Sequence, residues 1–389
     1  MSIKLGIVGV GEFAQCFIPL FKAHPLVAEV TLCDLDANKL DENCTRYGIT
    51  KKSPSLEHLL TTDIDAVVIM SQNWLHGPQA LQALRAKKHV YSAVPMGVNL
   101  EEIKNIVKAV EETGQIYMMG ETSYYYPATI YCREKFKAGG FGHIVYGEGD
   151  YFHDWEHGLY DVFKWRGGEN WLETAGNPPM YYPTHSISKI ISVTGAYITH
   201  VSCHGFVDKH GDGIYKAGVN KWNNTFSNQT ALFTMSDGSS FRVNEFRRIG
   251  HPETVRMNLF GTEGCFEQNA VGAMWLTRNE KQPIDDLLTC LEWHSDLDDT
   301  ALRMGNHYAK VHPTDRLPKE FNGLRNAHFS SHHFLVDDFV RACAYGATPP
   351  IDAWQAARYT IPGIIAHESA INGGVLLAVP DLGDSKTKS

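Results

Sequence analysis

Lys4-Leu5-Gly6-Ile7-Val8-Gly9-Val10-Gly11-Glu12-Phe13-Ala14 is the stretch from which the rest of the chain is read. Its first half is an apolar run rich in Ile and Val, the composition of a strand buried on both faces. Gly9, Gly11 and Ala14 follow with G-x-G-x-x-A spacing. The first glycine permits a tight turn, the second leaves bare backbone for a diphosphate, and the small Ala14 lets helix and strand approach. The pattern predicts a helix from Phe13 to Lys22, whose unpaired N–H groups and positive end, together with Glu12 and Phe13, face that diphosphate. A second strand, Glu29-Val30-Thr31-Leu32-Cys33, ends on Asp34, about twenty residues past the motif, where a carboxylate accepts the ribose hydroxyls. A glycine pattern alone also fits an ordinary strand–turn–helix; strand, helix, second strand and acid together point to a dinucleotide. Leu35-Asp36-Ala37-Asn38 carries no Arg, and a 2′-phosphate there would meet two carboxylates, so NAD is favoured over NADP.

The composition fits that reading. A chain of 389 residues suggests two domains, each with its own core. The net charge of −9 and the lack of any basic stripe argue against nucleic acid as a partner. A strand beginning a few residues after Met1 leaves no room for a signal peptide, and no apolar run is long enough for a bilayer. The expectation is a cytoplasmic protein. The eight Cys are scattered without C-x-x-C pairs, which suits reduced thiols. With 17 Tyr, 18 Phe, 8 Trp and 19 His, the second half in particular has side chains suited to a pocket for a polar ring such as a sugar. The same side chains suit an oligomer interface.

Residues 1–122 alternate strand and helix: Ala37–Tyr47 and Leu56–Leu60 helical, Ala66–Met70 a strand, Gly77–Ala86 helical, His89–Ser92 a strand, Leu100–Glu112 helical, Ile116–Met119 a strand. This rhythm predicts an α/β fold beginning with a doubly wound parallel sheet, a Rossmann domain. Ligands on such sheets sit beyond the carboxyl ends of the strands, which singles out 71–76, 93–97 and 120–126. From 123 to 389 the pattern becomes that of an α+β domain for substrate and oligomerisation. A helix Ala128–Lys137 ends in Gly139-Gly140, a strand spans His143–Phe152, and a helix lies near Ser186–Val193. Alternating segments at 200–207, 225–235, 239–246, 255–260 and 274–277 predict a large, mostly antiparallel open sheet. Large apolar side chains on both alternating faces suggest that its exposed face pairs with another subunit, in a dimer or tetramer. Residues 279–327 are irregular, with acids at Asp296, Asp298 and Asp299, and helices Phe334–Tyr345 and Trp354–Ile371 close the chain.

By these residues the chain resembles the Gfo/Idh/MocA family, relatives of glucose–fructose oxidoreductase and inositol dehydrogenase. The resemblance rests on the glycine motif, Asn73 and His76 after the fourth strand, Pro95 after the fifth, the Gly-Gly-Phe-Gly turn at 139–142 and a helix entered through His185. It implies NAD as cofactor, with Ser71, Asn73, His76 and Pro95 bordering it, and a carbohydrate or cyclitol as substrate. The family usually reads Glu-Lys-Pro after the fifth strand, and its Lys handles the proton of the substrate alcohol; here the stretch is Ala93-Val94-Pro95. The family's Asp-x-Gly-x-His is here Tyr181-Tyr182-Pro183-Thr184-His185, keeping only the imidazole. Tyr-Pro-Thr-His is similar to the corresponding segment of the NAD-dependent glycoside hydrolases of this fold, typified by α-N-acetylgalactosaminidases, which also lack the Lys and usually read Glu-Val-Pro. Ala93 departs from that pattern too.

Removing a hydride from a secondary alcohol requires a base for its proton and a donor for the developing carbonyl. His185, at the start of its helix, is the candidate base, with Tyr182 sharing the proton; the competing reading is a structural His–Tyr pair. Lys189, one turn further, is a candidate cationic donor or an ordinary ion-pair lysine. His153 and Asp154, in the cluster Tyr151-Phe152-His153-Asp154-Trp155-Glu156-His157, are candidates for binding substrate hydroxyls, with His153 a further candidate base. Glu121 and Tyr124 follow the sixth strand near the nicotinamide by topology; Glu121 is either an elimination base or a helix cap. Trp165 and Arg166 either cover a sugar ring or pack their loop. His153 with Asp154 or His157 has metal-like spacing without a consistent ligand pair, and no metal is expected. His328, His332 and His333 open a helix, where capping and core-edge packing are the commoner roles. Three functions follow: an NAD-dependent oxidoreductase acting on a ring alcohol, a glycosidase using the same hydride step internally, or a nucleotide-bound sensor whose catalysis has lapsed.

Overall fold

The structure, a computed structural model, describes residues 2–290 and 307–385. The acids at 296, 298 and 299 lie outside them. The chain divides into two compact units, Met1–Ile130 with Asp286–Ala357 and Leu382–Ser389, and Tyr131–Asp285 with Arg358–Asp381. This differs from a single division at 122. The helix His332–Tyr345 belongs to the first unit because its apolar face completes that unit's core: Phe339 meets Phe21 and Tyr91 edge-on at 6.4 and 5.5 Å.

In the first unit the order is β1 (Ile3–Val8), α1 (Glu12–Gln15), α2 (Ile18–Ala23), β2 (Val27–Cys33), α3 (Ala37–Tyr47), β3 (Lys51–Ser53), α4 (Leu56–Leu60), β4 (Ala66–Ile69), α5 (His76–Arg85), β5 (His89–Ser92), α6 (Leu100–Thr113) and β6 (Tyr117–Met119). The six strands are parallel in the order β3-β2-β1-β4-β5-β6, that of a dinucleotide-binding sheet. The apolar strands are buried as their composition requires: Leu5 and Ile7 in β1 and all four residues of β4 are fully inaccessible. The helix read from Phe13 to Lys22 is instead two, because Pro19 starts α2 and its ring cannot continue the ladder.

A helix α7 (Pro127–Lys137) precedes the second unit's elements, which run β7 (Ile144–Phe152), α8 (Tyr160–Gly167), α9 (Leu172–Ala175), α10 (Thr184–Thr194), β8 (Ile198–Val207), β9 (Phe226–Met235), β10 (Ser240–Phe246), β11 (Thr254–Gly261), β12 (Gly264–Gln268), β13 (Ala273–Thr277), β14 (Lys281–Pro283) and β15 (Leu377–Ala378). They form a nine-stranded sheet, β14-β13-β12-β11-β7-β10-β9-β8-β15. β7 and β10 pair in parallel, placing Glu245 beside Tyr151, and every other pairing is antiparallel. The helix α10 lies on β7 because β7 has a glycine beneath it: a Cβ on Gly149 would stand 2.7 Å from the Ser186 carbonyl oxygen. That approach sets where His185 sits.

The sheet's other face corrects the reading that both faces are apolar. Its centre is a polar ladder: Asn244 Nδ2 donates to Asp150 at 2.7 Å, Arg256 Nε pairs with Asp150 at 2.7 Å, Arg242 with Glu148 at 3.2 Å, and Asn258 Nδ2 donates to Glu148 at 2.8 Å. Phe206, Val207 and Leu232 are the large apolar side chains left exposed on β8 and β9. Among the described residues no helix is long and apolar enough to cross a membrane.

Candidate active site

The first unit carries the cofactor-binding candidates, and these are mostly backbone. Gly9 has φ +85°, and a Cβ there would press to 3.0 Å on the Met70 carbonyl, so both conformation and contact call for glycine. Gly9 N–H donates to the Cys33 carbonyl at 2.9 Å, fixing the turn against the end of β2. Asp34 is half-buried; Oδ2 accepts from Val10 N–H and Oδ1 from Asp36 N–H, each at 2.9 Å. These two bonds hold the carboxylate still and leave it acceptor capacity for a ribose hydroxyl. Glu12, Phe13 and Ala14 follow in α1. The bare turn and the anchored acid fit the adenosine diphosphate half of NAD.

After β4 and β5 the expected border residues are tied together. His76 is buried, with Nδ1 2.9 Å from the Pro95 carbonyl oxygen and Nε2 3.1 Å from that of Ser71. Its imidazole holds the two loops in place. Ser71 Oγ donates to Gln79 at 2.6 Å, and Asn73 opens a short 3₁₀ turn. Glu121 is fully buried and caps the turn after β6, accepting from Ser123 N–H at 2.8 Å; this is the capping role. Tyr124 in that turn is half-buried, its ring 5.0 Å from Tyr125.

The candidates in the second unit are side chains. His185 is the second residue of α10 and nearly inaccessible; its ring meets Tyr182 and Tyr151 edge-on, each at 5.3 Å. Tyr151 closes β7's inner face, and its hydroxyl lies 2.8 Å from His153 Nδ1. Burial pushes the Tyr151 phenol well above 10, against the pull of Arg247. Burial also pushes His153 down to about 4, helped by the Arg247, His157 and His185 charges. The imidazole is therefore neutral at physiological pH. Glu253 stands 3.7 Å from it.

Two members of this group escaped sequence reading. The Arg247 guanidinium lies 4.6 Å over the Tyr151 ring and 3.3 Å from Glu245 Oε2. Glu245 is fully buried and accepts a bond from Ser186 Oγ, one residue beyond His185. Their only sequence signal was a charged pair in an alternating strand, which reads equally as a solvated face.

The other expected residues scatter. Asp154 is a pin: it accepts from Glu156 N–H at 2.9 Å and from Ile249 N–H. With His157, His210, Arg248 and His251 it also lines a cavity of about 690 Å³. Lys189 is neither a surface lysine nor an evident substrate donor; it is fully buried, and Nζ donates to the Val255 carbonyl of β11 at 2.8 Å. Trp165 and Arg166 are exposed on α8. The segment carrying them has its own small core of Trp155, Ala175, Ile214 and Tyr215, with Tyr160 and Trp171 against it. Arg248 fastens this insertion to β10, donating to the Tyr160 hydroxyl at 2.8 Å and pairing with Asp212. In the first unit, His328 and His332 pack edge-on to Phe13 at 5.8 and 5.9 Å, and His332 stacks on Phe17. Among the described residues no three His, Cys, Asp or Glu side chains form a metal-binding group.

A nucleotide-binding parallel sheet followed by an antiparallel sheet bearing a His–Tyr cluster defines a two-domain oxidoreductase fold. Residues 3–121 match the GFO_IDH_MocA model, the oxidoreductase family with an NAD-binding Rossmann fold. Among curated relatives, a glycosyl hydrolase family 109 protein of Streptomyces filamentosus is 24% identical over 98% of this chain and 77% of its own length. One of Saccharopolyspora erythraea is 22% identical over 98% and 83%. Among solved structures, levoglucosan dehydrogenase in complex with NADH and levoglucosan has a TM-score of 0.74 at 17% identity, covering 98% of this chain and 100% of its own. Scyllo-inositol dehydrogenase from Lactobacillus casei, with NAD(H) and scyllo-inositol bound, has 0.72 at 18%, covering 97% and 99%. The fold is shared across both units.

Proposed function

We propose that the protein is an NAD-dependent enzyme that transfers a hydride at a secondary ring alcohol of a sugar, glycoside or cyclitol. The observation that carries this reading is the cluster of His185, Tyr182 and Tyr151 in a chain whose other unit is an NAD-binding domain. Bound NAD supplies the hydride acceptor. Gly9 and the α1 backbone hold its diphosphate, Asp34 its ribose, and the loops pinned by His76 the border after β4 and β5. His185 takes the alcohol proton as the hydride leaves, Tyr182 shares that hydrogen bond, and the rings around them keep water from competing.

A second reading differs in net outcome. The relatives named glycosyl hydrolases and the Tyr182-Pro183-Thr184-His185 segment both favour it. Oxidation of the ring alcohol acidifies the adjacent C–H, loss of that proton expels the aglycone, water adds to the alkene, and the hydride returns. The test is to mix the NAD-loaded protein with sugars, cyclitols and aryl glycosides. Net nicotinamide reduction supports the dehydrogenase, and cleavage without net reduction supports the hydrolase. Neither outcome in any substrate class would rule out both. We also infer a cytoplasmic homo-oligomer joined through the sheet's outer face, where Phe206 and Leu232 are each half exposed. A monomeric mass by light scattering would overturn the assembly.

A further inference from the structure

Drawing a hydride from an alcohol builds negative charge on its oxygen, and a positive charge fixed near that oxygen lowers the barrier. The position after β5 where related enzymes are expected to carry a lysine holds Val94, which has no charge to offer. Lys189 has its ammonium turned to the Val255 carbonyl. The cation that does lie among the second unit's site rings is Arg247.

Three contacts fix it there. Its guanidinium covers the face of Tyr151 at 4.6 Å, Nη1 donates to the Phe246 carbonyl at 3.2 Å, and Nη2 lies 3.3 Å from Glu245 Oε2. Glu245 in turn accepts from Ser186 Oγ beside His185, so one buried carboxyl ties the arginine to the helix bearing the candidate base. The parallel register of β7 and β10 makes this possible by setting Glu245 beside Tyr151. Tyr151 then relays the arrangement outward, with its ring against His185 and Tyr182 and its hydroxyl on His153.

We propose that Arg247, held by Glu245, is the fixed positive charge of the active site, and that it acts through Tyr151 on the substrate oxygen from which hydride leaves. The proposal rests on the hydride-transfer reading. In the step itself the C–H electron pair goes with the hydride to oxidised nicotinamide and the O–H proton goes to His185. Tyr151 accepts from His153 Nδ1–H and donates its one hydroxyl proton in a hydrogen bond to the oxygen as charge develops, and Arg247 makes that phenol a stronger donor. Tyr151 is the contact residue; Arg247 and Glu245 are positioning residues. Burial pushes the Glu245 carboxyl up to about 8. It is therefore largely protonated at neutral pH and leaves the arginine's charge uncancelled. The groups facing the Tyr151–His153 pair are Arg247 and Glu245 from β10, His185 and Tyr182 from α10 and the turn before it, Glu253 before β11, and His157.

The experiment compares wild type, Arg247→Met, Arg247→Lys and Tyr151→Phe as NAD-loaded protein, with two readouts. The first is the single-turnover rate of hydride transfer from a turned-over carbohydrate. Arg247→Met should fall about 10²–10³-fold in rate with KM changed little, as for loss of an oxyanion-stabilising group. Arg247→Lys should recover most of the loss. The second readout is the His153 imidazole titration by NMR, assigned with His153→Gln and independent of turnover. Burial is the main cause that holds His153 down at about 4 and the Arg247 charge is the next, so Arg247→Met should move it part of the way up toward the ordinary 6.5, and Arg247→Lys should not. An Arg247→Met rate within threefold of wild type, or an unmoved His153, overturns the proposal. Should Arg247→Met not fold, Tyr151→Phe keeps the ring under the guanidinium and carries the test: an unchanged hydride rate overturns it equally. A wild type that moves no hydride from any carbohydrate fails the functional reading itself, and is distinguishable because the variants are then all alike in turnover.

Discussion

The two units build their candidate functional residues from different material. The first uses backbone: a glycine turn at positive φ, N–H groups that anchor Asp34, and loops pinned by His76. The second uses side chains from β7, α10 and β10 that meet only once strand register and the glycine under α10 are in place. A backbone site depends on conformation and tolerates most side-chain changes around it, whereas a site made of side chains depends on each group in turn. A cofactor common to many substrates suits the first, and chemistry particular to one substrate suits the second.

Predictions that break this comparison begin with the side-chain half. His185→Ala should cost about 10²–10⁴-fold in hydride transfer, the usual cost of a lost general base, while NAD affinity by calorimetry stays at the wild-type value. Tyr182→Phe should lose less, because it removes a sharer of the proton and leaves the acceptor in place. Stopped-flow absorbance of the nicotinamide separates the two.

In the backbone half the change that matters is at Gly9. Gly9→Ala forces a Cβ onto the Met70 carbonyl at positive φ, a strain of about 1–3 kcal/mol, and should lower both Tm and NAD affinity. Asp34→Ala is the milder probe. It should weaken NAD about tenfold, in line with loss of a hydrogen bond to a charged group, and reduce discrimination against NADP. If titration shows wild type binding NADP more tightly than NAD, the assignment of Asp34 is wrong.

A smaller effect comes from pH. Burial pushes His312 and His367 down to about 4 along with His153, so all three stay neutral in the fold where the unfolded chain protonates near 6.5. The unfolded state then binds more protons, and stability should fall as pH drops from about 6.5 toward 4. Glu245, raised to about 8, has the opposite sign: the folded state holds the extra proton, and stability falls as pH rises from its ordinary value toward 8. Tm against pH should therefore peak near neutrality, and Glu245→Gln should flatten the alkaline side and steepen the acid side.

The same contrast explains what was legible in the sequence. Gly9, Gly11, Ala14 and Asp34 are read by spacing because a tight turn and a strand end are local. His185 and Tyr182 are read together because three residues separate them. Tyr151 lies nearly a hundred residues from Glu245 and Arg247, and nothing local says that β7 and β10 pair in parallel in an otherwise antiparallel sheet. The burial of Lys189 was illegible for the same reason: helical spacing gives a side chain's face and leaves open what covers it. The insertion bearing α8 and α9 has weak periodicity because its small core is aromatic and closed by hydrogen bonds, such as Trp155 Nε1 to the Tyr215 hydroxyl at 3.1 Å. The boundary at 122 follows the change of strand pattern, which is local, whereas the return of the helix His332–Tyr345 to the first unit is not. Its amphipathic pattern shows a buried face and leaves its partner unnamed.

The central claim is that hydride moves between a carbohydrate ring carbon and NAD bound to this chain. The most direct measurement is an isotope transfer: a turned-over sugar carrying deuterium on the oxidised carbon is mixed with the NAD-loaded protein and quenched within one turnover. The account predicts deuterium on the recovered nicotinamide, whether the net product is a ketone or a cleaved glycoside, and none with His185→Ala on that timescale. Product formed by wild type with all deuterium still on the sugar, and none found on the nicotinamide at any quench time, would contradict it.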